Sequence, residues 1–174
     1  MPVVESSIFI NARVGKVFGA VERVERLAEF FSGVTSVTDV IRTQGRIGDS
    51  ATIHYSAAGY KYDVPWKVKE WETNRKIVAT LGGPFRGTIT STVEAEGSGT
   101  RVTRVYDYEI ARSGMELRIF KAIKFDEIHA RNAKLSLETL KAICEGKEIK
   151  GGKHPWLPGL AAALTHTPIT KKDS

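Results

Sequence analysis

Apolar and polar residues alternate with a period of two through the middle of the chain, the pattern of strands with one buried and one wet face. The clearest run is 60–71, where Tyr60, Tyr62, Val64, Trp66 and Val68 fall on one side and Lys61, Asp63, Lys67 and Lys69 on the other. Pro65 joins the wet side, which predicts an edge or a bulge there. The run 85–95 groups Phe85, Gly87, Ile89, Ser91, Val93 and Ala95, and 100–111 groups Val102, Arg104, Tyr106, Tyr108 and Ile110. Turn-forming residues at Gly45, Gly48-Asp49, Gly59, Thr73-Asn74, Gly82-Gly83-Pro84 and Gly97-Ser98-Gly99 separate segments near 34–44, 50–58, 60–72, 75–81, 85–95 and 100–111. Connections this short predict antiparallel neighbours.

Outside this block the period is helical. A β-prone run at 3–10 leads to Asn11, placed to cap a helix, and to two short helical pieces over 13–31. Val24, Leu27, Ala28 and Phe31 share one face of the second piece, and Gly33 is placed to end it. One long helix is predicted over about 115–145, ended by Gly146. Its main stripe is Met115, Ile119, Ala122, Ile123, Asp126, Ala130, Ala133, Leu137, Leu140 and Cys144. Leu117, Phe125, Ile128, Leu135 and Ile143 form a sparser set on the far side. Antiparallel strands with segregated helices give an α+β fold: a curved seven-stranded sheet around a long C-terminal helix. A twisted sheet closed on a straight helix predicts a space between them, suited to an apolar ligand.

Composition narrows the class. The 174 residues are 41% hydrophobic and 26% charged, which fits one soluble globular domain and excludes a disordered chain or a membrane bundle. The net charge of +6 is concentrated at the end, where residues 146–174 carry five lysines against Glu148 and Asp173. No basic stripe or nucleic-acid motif accompanies it, so no nucleic-acid partner is expected. With no signal sequence or membrane-spanning run, the expected location is cytoplasmic. Residues 1–145 read as the domain and 146–174 as a Pro/Gly/Lys-containing tail. His154 to Leu160 is a short apolar patch in that tail, able to dock on the far helix face.

Candidate chemistry is sparse. Asp126 interrupts the helix stripe, and Arg104 is the one charge in the inward set of its strand. A buried Arg104–Asp126 pair would satisfy both, as a structural ion pair, an anchor for a ligand carbonyl or carboxylate, or a proton-transfer pair. All five tyrosines, Tyr55, Tyr60, Tyr62, Tyr106 and Tyr108, fall with Trp66 on inward faces. Phenols give an apolar wall with a hydrogen-bonding tip. The expected ligand-binding set is Tyr55, Tyr62, Trp66, Ile89, Arg104, Tyr106, Tyr108, Ile119, Ile123, Asp126 and Ala130. Asp126 and His129 are one helical turn apart, but no second such pair exists to complete a metal site, so no metal is expected. Cys144, the only cysteine, falls at a helix C-terminus, the wrong end for an activated thiol.

Several stretches carry a family resemblance. They are Ser7-Ile8-Phe9-Ile10-Asn11-Ala12 leading to Val17-Phe18, Val24-Glu25 through Phe30 to Gly33-Val34, and Gly48-Asp49. The others are Trp66-Lys67-Val68-Lys69-Glu70-Trp71, Gly87-Thr88, Gly97 to Thr103, and the closing helix around Leu137 to Glu145. Over residues 3–145 the chain resembles the START-like (SRPBCC) helix-grip superfamily, the polyketide cyclase/dehydrase and lipid-transport group. A proline common in that family's second short helix is replaced here by Leu27-Ala28-Glu29, and the long tail is a further departure. The resemblance implies a cavity for a hydrophobic small molecule, such as a lipid, isoprenoid or polyketide, and no cofactor. It brings no shared catalytic motif. Three functions stand side by side: binding or transport of such a ligand, a cyclase/dehydratase working in the same cavity with Arg104 and Asp126 as catalytic candidates, and an interaction module using the tail. The two-sided helix also leaves a homodimer open.

Overall fold

The computed structural model describes residues 3–111 and 114–147. The strands are β1 (Val3–Ile10), β2 (Val34–Ile41), β3 (Ser50–Ala57), β4 (Tyr60–Glu72), β5 (Lys76–Leu81), β6 (Phe85–Glu96) and β7 (Gly99–Ile110). Between β1 and β2 lie helix α1 (Val14–Val21), a 3-10 turn (Val24–Arg26) and helix α2 (Leu27–Phe30). Helices α3 (Met115–Ala122) and α4 (Phe125–Cys144) close the fold. The strands form one antiparallel sheet in the order β1-β7-β6-β5-β4-β3-β2. The first strand thus returns beside the last, and β2 is left at the opposite edge. This is the helix-grip arrangement.

The long central strands bury alternate residues. On β7, Val102, Arg104, Tyr106 and Tyr108 are buried, and on β4, Val64, Trp66 and Val68. Gly87 is required where β6 crosses closest to β7: its φ is 149°, and a Cβ there would lie 2.0 Å from the Asp107 carbonyl oxygen. Pro65 occupies an interior strand, yet its carbonyl accepts from the Gly82 N–H just past the end of β5. The N–H that Pro65 lacks would face that same side, where β5 has already ended, so the edge expected from the sequence exists only locally. The register shift in β4 falls later, between Val68 and Glu70.

The C-terminal half of α4 rests its buried face, Ala133, Leu137, Leu140 and Cys144, against the core. Its end is fastened by Glu145, whose carboxylate accepts from the Asn11 backbone N–H at 2.8 Å and from Lys141 and Lys147. Lys141 also donates to the Phe9 carbonyl. Asn11 is therefore a docking point for the distant helix rather than a cap; α1 has Arg13 at its N-cap, with no side-chain bond.

The single long helix expected over 115–145 is two helices. Lys124 takes the left-handed conformation (φ 51°, ψ 52°) and resets the helical phase. Phe120 and Phe125, on either side of the break, are both buried. Met115 is 76% exposed, and Asp126 and Ala130 are exposed, so the stripe read from periodicity fails before Ala133. The inward face of the N-terminal half of α4 is instead Phe125, Ile128, His129, Asn132 and Ser136. Much of that face is polar, which is why hydropathy pointed to the wrong side. The far-side set expected to need a separate cover includes Phe125 and Ile128, and both are already buried in the domain. The tail patch His154–Leu160 lies outside the described residues.

Candidate functional site

Between the concave face of the sheet and the start of α4 is an aromatic seam. Strand parity delivers Ile53 and Tyr55 from β3, Tyr62, Val64 and Trp66 from β4, and Leu81 from β5. Phe85 and Ile89 come from β6, and Tyr106 and Tyr108 from β7. Phe125 and His129 close it from α4, and Leu27 and Phe31 from the α2 side. The rings interlock: Tyr55 stacks on Tyr62 with centroids 5.2 Å apart, Phe85 on Phe125 at 5.2 Å, and Phe125 on His129 at 5.6 Å. The open space among them is about 40 Å³, room for about three waters. A ring-sized guest enters only by parting these side chains.

A smaller void of about 30 Å³ shares the Leu27, Trp66 and Ile89 walls with this seam and ends on Arg104 and Ser91. A third, of about 10 Å³, shares Phe31, Tyr55, Tyr62, Phe125 and His129 and ends on Asn132. No carboxylate lines any of the three.

The walls carry polar atoms without partners. Nε and Nη1 of Arg104, the Tyr106 hydroxyl, His129 Nε2 and Asn132 Oδ1 are buried and accept or donate no hydrogen bond among the described residues. Burial raises the Tyr55, Tyr62, Tyr106 and Tyr108 hydroxyls above the ordinary phenol pKa. At Tyr106 the nearby Arg104 charge works against that rise, but the geometry makes no bond between the two groups. Burial likewise pushes His129 down to about 4, opposed by the Asp126 carboxylate, so the imidazole is neutral at pH 7.

The expected Arg104–Asp126 pair is absent. Asp126 sits on an exposed position of α4 and accepts from the Tyr108 hydroxyl at 2.8 Å. Arg104 is 2% exposed, two residues further back on β7 than Tyr106, and its guanidinium lies 5.2 Å over the Phe30 ring. The phase reset at Lys124 separates them. Of the expected ligand-binding set, Tyr55, Tyr62, Trp66, Ile89, Tyr106 and Tyr108 line the seam and Arg104 the adjoining void. Ile119, Ile123 and Asp126 line neither, and Ala130 instead faces an outer groove with Glu5 to Ile8 of β1. Sequence reasoning missed Leu27, Phe31, Ile53, Val64, Leu81, Phe85, Phe125 and His129. Leu27, Phe31, Val64 and Phe85 were legible from their faces; Phe125 and His129 depended on the helix break.

Residues 1–145 match the model of the family described as "Polyketide cyclase / dehydrase and lipid transport", and the chain belongs to that family. Solved structures share its fold. A Thermus thermophilus protein aligns with a TM-score of 0.68 at 22% identity, over 83% of this chain and 98% of its own. The Zhui aromatase/cyclase of a Streptomyces species aligns with 0.70 at 14% identity, over 87% and 98%. A START superfamily protein from Mycobacterium smegmatis aligns with 0.58 at 13%, over 83% and 94%. No curated protein sequence matches the chain. Among the described residues no helix is long and apolar enough to cross a membrane, and no three metal-ligating side chains cluster.

Proposed function

We propose that the chain binds a hydrophobic small molecule bearing oxygen functions in the seam between sheet and α4. One observation carries this reading: an otherwise apolar interior keeps unmatched polar atoms on Arg104, Tyr106, His129 and Asn132. A purely structural core leaves few such groups, because each costs about 1–3 kcal/mol. A guest with an apolar body and oxygen at its ends pairs them and parts the rings. The small present volume means that binding is coupled to side-chain movement. Gently purified protein studied by native mass spectrometry, followed by intrinsic tryptophan fluorescence titration with fatty acids, isoprenoid alcohols and aromatic polyketides, tests it. Saturable binding that is lost on Tyr106→Trp, which fills the seam, supports the reading. No retained species and no saturable titration across the panel overturn it.

A second reading, a cyclase or dehydratase in the same interior, draws on Tyr108 and His129, with Asp126 holding the Tyr108 hydroxyl from the exposed side of α4. The Tyr108 phenol donates to Asp126, and the neutral His129 ring lies 5.3 Å away, able to take up a proton. Turnover of a poly-β-carbonyl substrate that falls in His129→Gln and Asp126→Asn supports this reading; full turnover in both variants removes it.

A further inference from the structure

We infer that Arg104 is the headgroup site of this interior and that its ligand is a hydrophobic carboxylic acid. The inference rests on the binding reading above and narrows it to one chemistry. Arg104 is 98% out of contact with solvent, since only 2% of it is exposed, and Nε and Nη1 have no partner among the described residues. A guanidinium is a fixed cation, so the interior holds a positive charge with two nitrogen positions unpaired among the described residues. An uncompensated buried charge is strongly destabilising, and elsewhere this fold avoids it. One face of the guanidinium is covered by Phe30, which leaves its N–H edge as the free direction. Across the sheet Arg104 registers opposite Ser91 on β6 and Ser6 on β1, small residues that leave space around it.

The void at Arg104 is divided from the aromatic seam by Leu27, Trp66 and Ile89, so an elongated molecule spans both when these side chains part. A carboxylate matches the two-pronged guanidinium edge and carries one charge against one charge. The unpaired Tyr106 hydroxyl, on the same face of β7, can donate to the same headgroup. A phosphate, with more charge and more oxygens, would call for further cations, and no lysine or second arginine lines the void.

Matched pairs test this on the full chain: octanoic, dodecanoic and hexadecanoic acids and 3-phenylpropanoic acid, each against the alcohol with the same body, titrated calorimetrically at pH 7.5. The expected result is that at least one acid binds tenfold or more tighter than its alcohol, and that Arg104→Met abolishes the preference. Equal affinity of acids and alcohols for the wild-type chain overturns the Arg104 assignment and leaves the binding reading standing. Binding of neither overturns the Arg104 assignment, and the binding reading then falls only if the wider panel above fails too. The wild-type comparison decides the matter without a variant; if Arg104→Met folds, a persisting acid preference also overturns the assignment.

Discussion

Asp49 and Arg104 are both charged and buried, and they are treated in opposite ways. Asp49, at the turn before β3, is 0% exposed. It accepts from the Thr43 N–H at 2.7 Å, the Thr43 hydroxyl at 3.1 Å, Arg42 at 3.0 Å and Arg46 at 2.7 Å. These contacts outweigh its burial and lower its pKa. Glu145 repeats the arrangement at the end of α4, held down to about 2, chiefly by Lys141 and Lys147. Arg104 is as deeply buried and has none of this. A fold that surrounds Asp49 with four donors has the means to pair a charge. The difference separates a charge that builds the structure from one left available to a guest.

The largest effect expected from breaking this contrast is at Asp49. Asp49→Ala removes the acceptor shared by two arginines and the Thr43 backbone, and should destabilise the chain by about 3–4 kcal/mol. Urea unfolding measures it. A loss below about 1 kcal/mol would mean that these bonds are no more structural than a surface ion pair, and the contrast would lose its first half.

His129 gives the next effect, through pH. Its folded pKa of about 4 lies below the unfolded value of about 6.5. Between those values the unfolded chain takes up a proton that the folded chain refuses. Stability conferred by the neutral ring is therefore present above about pH 6.5 and falls as pH drops to about 4, by ~3 kcal/mol in total. Below that this group adds no further slope. The carboxylates follow lower: the stability from Glu145 is present above its unfolded pKa of about 4.3 and lost as pH falls toward about 2. His129→Phe should flatten the window from pH 6.5 to 4.5 in paired denaturation curves. An unchanged slope would show that the ring is solvated.

The strands were legible because each has one wet face and a turn residue at its end: the six segments of 34–111 differ from the observed strands by a few residues at most. Parity along β7 also placed Arg104 and Tyr106 inward correctly. The helix misled for two physical reasons. The break at Ile123-Lys124 carries no glycine, proline or asparagine, and a lysine at positive φ has no sequence signature. Moreover, α4 turns His129, Asn132 and Ser136 toward the core while exposing Ala130, inverting the hydropathy rule where the interior is most polar. The Arg104–Asp126 pairing fails for that reason, although the charge interrupting an apolar surface is legible on the strand.

Tyr108→Phe should cost less, about 1 kcal/mol. The variant removes the bond to Asp126 but leaves no orphan, because the exposed carboxylate turns to water. Thermal unfolding checks it; a loss above about 2 kcal/mol would place Asp126 among the structural charges with Asp49.

Arg104→Met should produce the smallest change in the empty protein, and it carries the opposite sign. The thioether fills the stem's volume and keeps contact with Phe30, while the unpaired charge is gone. What is lost is a cation–π contact of about 1–2 kcal/mol; what is relieved is the desolvation of an unmatched guanidinium, of several kcal/mol at most. The relief offsets the loss or exceeds it, so the midpoint of urea unfolding should stay level or rise. Ligand added at saturation should reverse the order, stabilising the wild-type chain more than the variant. A structural arginine predicts the reverse in both conditions: a variant weakened by 3 kcal/mol or more when empty, and an equal gain from ligand in the two proteins. The pair of measurements therefore tells apart a cation that holds the sheet together from one kept unpaired for a guest.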